Sequence, residues 1–478
     1  MADASSVTTS LVVFLLILVG PIIGIWTSRR HSRTQGHSES DLRFGTYVTG
    51  LSASASANSG SVLIGAAGLG FVMGVSALWL ALGFWIGDII FWYLFADKLV
   101  RRVQETGVDT ISELIAQQSH SRPLIPLRVG ALVAIIAVGL YCIAQFLAVG
   151  KIAMEFFNIE VTHAVALVLF VGVISILLGG LGSSMMVNVY QAFLMICSAA
   201  IICAFVGFAV VADFSTLSNA EGAERLLDPF YGYSGMNLAL FVTTFIFQGL
   251  LFAMCNPHIL TRITKGNVDQ IPRIRWVYMG FMQTLWWIMT AVGVSLALLA
   301  VTASDPDSAS IAFAEGVMPP IVLGVFIAGI AAAALSTGEA QLLVIANALV
   351  MDLVPNSFQK LSDSAKRKAM IAGRIVVAIG AFTALLFLKL DLVAQLVIQA
   401  ASILLSAFAI PALMFIFRIS VDGRVMGLVI LCGGGGALIA RILNPSLPLG
   451  YEIYSGLSAA LVIACIGLAF SRSPEKSK

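Results

Sequence analysis

A succession of apolar runs, each about twenty residues or longer, leaves this chain few architectures. The runs cover approximately 9–27, 45–72, 75–97, 128–156, 162–181, 186–213, 236–257, 276–302, 315–350, 370–389, 392–417, 424–441 and 449–470. A helix of that length crosses the roughly 30 Å hydrocarbon core of a bilayer. Inside it, only helices and closed barrels satisfy their own backbone groups. Hydrophobic residues make up 59% of the 478 positions and charged residues 11%, against roughly 25% charged in a soluble domain. The expected fold is an all-α integral membrane protein of about 13 transmembrane helices.

Charge orients it. No basic region precedes the first run, as a cleaved signal peptide would require, and Arg29, Arg30 and Arg33 follow it. Positive residues favour the cytoplasmic side. Alternating from an outside N-terminus, the inside loops hold all of the 27 Lys and Arg except Lys151, Arg225, Lys389 and Arg441. That places the C-terminus in the cytoplasm of a multi-pass protein of the cell membrane, the inner membrane in a bacterium. Cys142, Cys197, Cys203, Cys255, Cys432 and Cys465 all fall in apolar runs without metal-ligand spacing and read as small apolar residues. A net charge of +2 argues against a nucleic-acid partner. No soluble domain or phosphate loop is visible. The outside loop at about 213–235, with Asp213, Glu221, Glu224 and Asp228, is expected at the surface, with room for a short helix. "CGGGGA" at 432–437 reads as close helix packing.

Two runs are interrupted. "SASASANSG" (52–60) opens the second with residues that weaken a helix, and "GLLFAMCNPHILTR" (249–262) closes the seventh with a proline. At membrane depth, broken backbone is tolerated only where it lines a cavity or is buried in protein. The two runs are five apart, the spacing expected of two inverted five-helix repeats with a binding site between their discontinuous first helices.

Several polar groups sit in apolar surroundings. In "AAAALSTGEAQLL" (331–343), Ser336 and Thr337 are adjacent hydroxyls. They either join freed carbonyls to ligate a hard cation such as sodium, or bond back to their own helix. Glu339 shares the helix face of Ser336. An ionisable residue within a span is a functional candidate, the alternative being a watered inner mouth. Asp88 is a second such candidate, or is paired structurally near Asp97, Lys98, Arg101 and Arg102. Asn188 and Gln191 share one face, as do Tyr141 and Gln145, and Gln399 lies inside the eleventh run. Each of these binds a solute or bridges helices. Lys151 and Glu155 form an i, i+4 pair expected at the outer surface.

Together these stretches resemble the sodium/solute symporter family, nearest to its bacterial branch around the sodium/proline symporter. "SGSVLIGAAG" (59–68) looks like that branch's Ser-Gly-four-Gly-two-Gly pattern. The Gly-Gly at 179–180 with Gln191 looks like its Gly-Gly…Asp-x-x-Gln. "NPHILTR" (256–262) is similar to Gln-Pro-His-Ile-Leu-x-Arg, and "STGEAQLL" (336–343), with Asp352 beyond, to Ser-Thr-x-x-x-Gln-Leu-Leu. The resemblance implies a leucine-transporter-like fold with its ten-helix core in spans two to eleven. It also implies a sodium site of the backbone oxygens of Ala55, Asn58 and Ala333 with the hydroxyls of Ser336 and Thr337. Four positions depart from the branch. Ala57 stands for an aspartate, Asn188 for the carboxylate after Gly-Gly, and Gly249 and Ala253 for aromatics. Glu339 could replace the missing charge at a second cation or proton site with Asn188.

The expectation is a sodium-coupled symporter of a small organic solute such as an amino acid or carboxylate, and not an enzyme. The solute lies near Ser59, Gln145, Gly249, Ala253 and Gln399, between spans two, four, seven and eleven. The chain divides into an N-terminal helix and loop (1–44), two repeats (45–213 and 236–417) and two C-terminal helices with a short tail (418–478). It works in the lipid bilayer, as a monomer. Two alternatives stay open. Protons replace sodium, through Glu339 or Asp88, or the protein senses a solute without transporting it, against which no signalling domain follows the last run.

Overall fold

Helix boundaries follow the apolar runs. The computed structural model describes residues 4–35, 43–157, 161–213, 222–230, 233–387, 393–448 and 450–471. Among these, ten helical segments are long and apolar enough to cross a membrane. One of them, Val62–Leu94, takes in the end of the second expected span and most of the third. The fifth and sixth lie in the helix Val161–Ala212, and the tenth in Asp363–Phe387. The fifth and sixth meet at Gly180, whose φ of 61° and ψ of −153° lie outside the helical region and open to glycine alone without strain. Lys389, Glu221 and the tail beyond Ser471 lie outside the described residues. The 213–235 loop does carry a short helix, Ala223–Leu227.

Burial separates lipid-facing from central spans. Of the ninth span, 78% is buried inside the protein, against 28% of the first and thirteenth. Phe208, Val211, Leu443 and Phe470 are exposed apolar side chains, which suits helices turned to hydrocarbon rather than to water. Lipid tails are as apolar as leucine, so helices associate largely through close packing of small residues. Here a side chain at Gly70 would overlap the Thr290 carbonyl, and one at Gly293 the Ala67 carbonyl, which fixes the second span against the eighth. The expected close packing at the glycine run is also present. Gly433 meets the Ser406 backbone, and Gly456 meets Gly433.

The arginine-rich end is tied down by polar contacts. Ser119–Ser121 pairs in parallel with Val421–Asp422. Phe44 bridges to Gly266. Lys265 pairs with Asp109 at 3.2 Å, and Arg102 bonds the Phe415 carbonyl. These joins connect positions up to 313 residues apart in sequence.

Candidate ion and solute site

Both interrupted spans break at an asparagine. The second span runs as Thr46–Ala57, leaves the helix at Asn58 (φ −80°, ψ 79°) and resumes as a π-helical turn at Ser61–Gly65 leading into Ala66–Met73. The seventh runs as Gly235–Cys255, leaves at Asn256 (φ −86°, ψ 111°) and resumes as Pro257–Ile263. Proline suits that restart, since a first-turn N–H has no helical partner to lose. Gln145 of the fourth span caps the first break by accepting the Gly60 N–H at 3.1 Å. Both asparagines are fully buried. Neither side-chain polar atom of Asn58, nor Asn256 Oδ1, has a hydrogen-bond partner among the described residues.

The first break faces the ninth span. Ser336 Oγ lies 2.9 Å from the Ala55 carbonyl oxygen and 2.8 Å from that of Ala333. Thr337 Oγ1 lies 3.0 Å from the Ser56 carbonyl and 3.3 Å from Ala333. Each hydroxyl therefore bonds both back to its own helix and across to the broken one, so the two readings of these residues meet in one geometry. A hydroxyl has one proton and cannot donate fully to two carbonyls at once. The result is a buried cluster of oxygens with more acceptors than donors. Ala55, Ala333, Ser336 and Thr337 are brought together, Asn58 stands at the break three residues beyond Ala55, and Ser56 adds a carbonyl that the sequence did not single out.

Asn188 and Glu339 lie buried in polar company. Asn188 donates Nδ2–H to the Ser52 carbonyl at 3.2 Å. Glu339 is fully buried, with Gly172 of the fifth span packed against it. It stands within electrostatic range of Arg262, also buried. Arg262 bonds Ser184 Oγ at 2.6 Å and the His258 carbonyl at 2.8 Å. Ser184 is one turn before Asn188, so the guanidinium joins the seventh span to the polar face of the sixth.

A cavity of about 50 Å³ opens beside the break, several times the roughly 10–15 Å³ that a single water needs. Its polar lining is Ser59, Tyr141 and Gln248. Phe84, Phe252 and Trp286 form apolar walls, with Phe84 stacked on Trp286 at 6.1 Å and edge-on to Phe252 at 5.2 Å. Of the five expected solute residues, Ser59 lines this cavity. Gln145 caps the break, Gly249 packs on the Phe84 backbone, Ala253 is buried in the core, and Gln399 is half-buried between lining neighbours Ile398 and Ala401. Gln248, one residue before the expected Gly249, went unnoticed. The aromatic walls gave no sequence signal, because aromatics are ordinary inside apolar runs.

Two broken helices in corresponding positions, facing a central cavity and a cluster of freed carbonyls, define an alternating-access carrier of the inverted-repeat class. Residues 41–430 match the sodium:solute symporter family, and the chain belongs to it. The chain is similar to the sodium/proline symporter of Haemophilus influenzae, with 26% identity over 99% of this chain and 96% of that one. It is also similar to the osmoregulated proline transporter OpuE of Bacillus subtilis, with 27% identity over 95% and 93%. Its fold matches a Na+-coupled sialic acid symporter solved in a substrate-bound outward-open state, with a TM-score of 0.79 at 16% identity over 98% of this chain and 99% of that one. The chain is a multi-pass membrane protein and a sodium-coupled symporter, not an enzyme.

Proposed function

We propose that sodium binds between the second and ninth spans, on the backbone oxygens of Ala55, Asn58 and Ala333 and the hydroxyls of Ser336 and Thr337. The observation that carries this reading is the pair of cross-span contacts, Ser336 to Ala55 and Thr337 to Ser56, at the point where the second span releases its carbonyls. Asn58, where the second span leaves the helix, keeps a buried side chain without a hydrogen-bond partner among the described residues. Ion and solute then favour the same closed state, and that shared preference is the coupling. In reconstituted vesicles, Ser336→Ala and Thr337→Ala each raise the sodium concentration for half-maximal uptake about tenfold or more, the cost of roughly one charge-assisted contact. Unchanged sodium dependence in both variants would put the ion elsewhere.

The solute sits in the cavity beside Ser59, with Gln145 acting through the Gly60 backbone and Gly249, Ala253 and Gln399 shaping the surrounding spans. Among the described residues, no charged side chain lines the cavity. Ser59 and Val62, at the restart of the second span, line it instead, and a helix N-terminus favours an anionic group. A small solute with a carboxylate and an apolar body fits both features. The names of the two curated relatives make proline the first compound to test, and Ala57, Gly249 and Ala253 make other small amino acids and carboxylates the next. A thermal-shift screen with and without sodium decides. A saturating solute at a hundred times its dissociation constant stabilises by about 2.7 kcal/mol, and the transported one does so more strongly with sodium present.

Glu339 is read as the counter-charge of Arg262, with Asn188 holding the sixth span to the inner half of the second. A balanced pair has little net attraction left for a second cation, so this reading gives one sodium per cycle and a sodium Hill coefficient near one. A coefficient near two would restore Glu339 and Asn188 as a second cation site. The protein is taken to work as a monomer in the cell membrane, with the arginine-rich end cytoplasmic and the repeats at 45–213 and 236–417.

A further inference from the structure

One buried carboxylate has no part in the ion pocket or the solute cavity. Asp88, in the third span, is fully buried. Gln283 of the eighth span donates Nε2–H to Asp88 Oδ2 at 2.9 Å. The other two atoms of the pair, Asp88 Oδ1 and Gln283 Oε1, have no hydrogen-bond partner among the described residues. A carboxyl group and a primary amide are fully complementary only when the carboxyl carries its proton. The acid O–H then donates to the amide oxygen while the amide N–H donates to the acid carbonyl. With the carboxyl ionised, both leftover atoms are acceptors and neither satisfies the other. A buried polar atom left unmet costs about 1–3 kcal/mol, so one proton removes two such costs together.

Among the described residues, no cation faces Asp88. The seventh span, which packs on the glycines of the third at Gly83 and Gly87, carries no charged residue between Gly235 and Cys255. The turn at Gly74–Ala77 carries none. From the helix that follows, Asp97 pairs with Arg101 at 3.1 Å. On the eighth span, Arg275 stacks over the Tyr93 ring at 3.7 Å. The titratable group that does face Asp88 is Tyr278, whose hydroxyl is buried and unpartnered.

The pair lies next to the cavity. Phe84 is one turn before Asp88, and Met282 and Trp286 flank Gln283; all three are lining residues. Hydroxyls connect the two places. Ser59 and Tyr141 line the cavity and bond each other, and Tyr278 stands within electrostatic range of both Tyr141 and Asp88. We propose that Asp88 and Gln283 form a proton-binding site, separate from the Ser336–Thr337 pocket, whose occupancy ties the third span to the eighth beside the solute cavity. Cavity water supplies the proton, which forms the Oδ1–H bond and is donated to Gln283 Oε1. On release it returns to water and Asp88 regains its charge.

The inference rests on the cavity being the solute site, and sodium-driven uptake across a pH series separates the two readings. In the wild type, uptake falls on the alkaline side, by up to about tenfold per pH unit beyond the midpoint. Asp88→Asn places an amide N–H where the acid proton would be, and its acid-to-alkaline rate ratio falls to about one. A wild-type ratio of one, or the same alkaline fall in Asp88→Asn, overturns the proposal. Unchanged solute affinity in Gln248→Ala, with the pH profile kept, overturns the cavity as the solute site instead. If Asp88→Asn does not assemble, infrared titration of the wild type and Gln283→Leu decides. A carboxylic-acid carbonyl band that vanishes at alkaline pH and shifts in Gln283→Leu supports the site, and a band indifferent to Gln283, or none, removes it.

Discussion

Asn58 and Asn256 hold equivalent places in the two broken spans, each leaving the helix with ψ between 79° and 111°. Asparagine tolerates such backbone and carries a polar side chain to the break. Its neighbours made the breaks legible in sequence, the small serines and alanines before Asn58 and the proline after Asn256. Ser336 and Thr337 were legible for a similar reason, since paired hydroxyls in an alanine-rich span need partners. What sequence could not supply was the charge near Glu339, because Arg262 lies 77 positions away on another span. That proximity predicts an energetic coupling. Removing one of two buried, mutually attracting charges leaves the other less compensated, at a cost of about 1–3 kcal/mol. Glu339→Gln and Arg262→Gln should each lower the unfolding free energy of the purified protein by about that amount, and the double variant by clearly less than their sum. Simple additivity in denaturant titrations would show that the two charges do not support each other.

At the scale of elements, a broken helix needs a partner for every backbone group it frees. Hydrophobic periodicity marked where helices lie, and the corresponding breaks pointed to inverted repeats. The cap on the first break was not legible as such, since Gln145 is 85 residues from Gly60 and a glutamine in a span suits a solute equally well. Gly249 behaves similarly. The sequence offered it as pocket space, whereas it lets the seventh span sit directly on the Phe84 backbone. If Gln145 is the cap, Gln145→Leu leaves the Gly60 N–H unmet and costs about 1–3 kcal/mol. The loss should be local. Amide hydrogen exchange around 58–62 should quicken by about tenfold or more while the ninth span keeps its protection. Unchanged exchange there would remove Gln145 from the break.

For the whole molecule, the apolar runs and the charge asymmetry act together. Buried helices in the middle and apolar side chains on the periphery require a bilayer around the chain. Orientation comes from the lysines and arginines. They crowd one end, where Lys265, Arg102, Arg122 and Arg418 meet Asp109, the Phe415 carbonyl, Asp422 and Glu105. Moving those cations across a bilayer is costly, and cytoplasmic retention of such loops is the general rule. Arg225 lies at the opposite end by the alternation of spans, and Lys360 lies at the arginine-rich end; both are exposed. The native cysteines fall in the spans, so replacing all six with alanine leaves a background for single labels. In intact cells, a membrane-impermeant maleimide should modify Arg225→Cys and spare Lys360→Cys until the membrane is opened. The reverse pattern would invert the protein in the membrane. Equal labelling of both before permeabilisation would mean that one span between them had been miscounted.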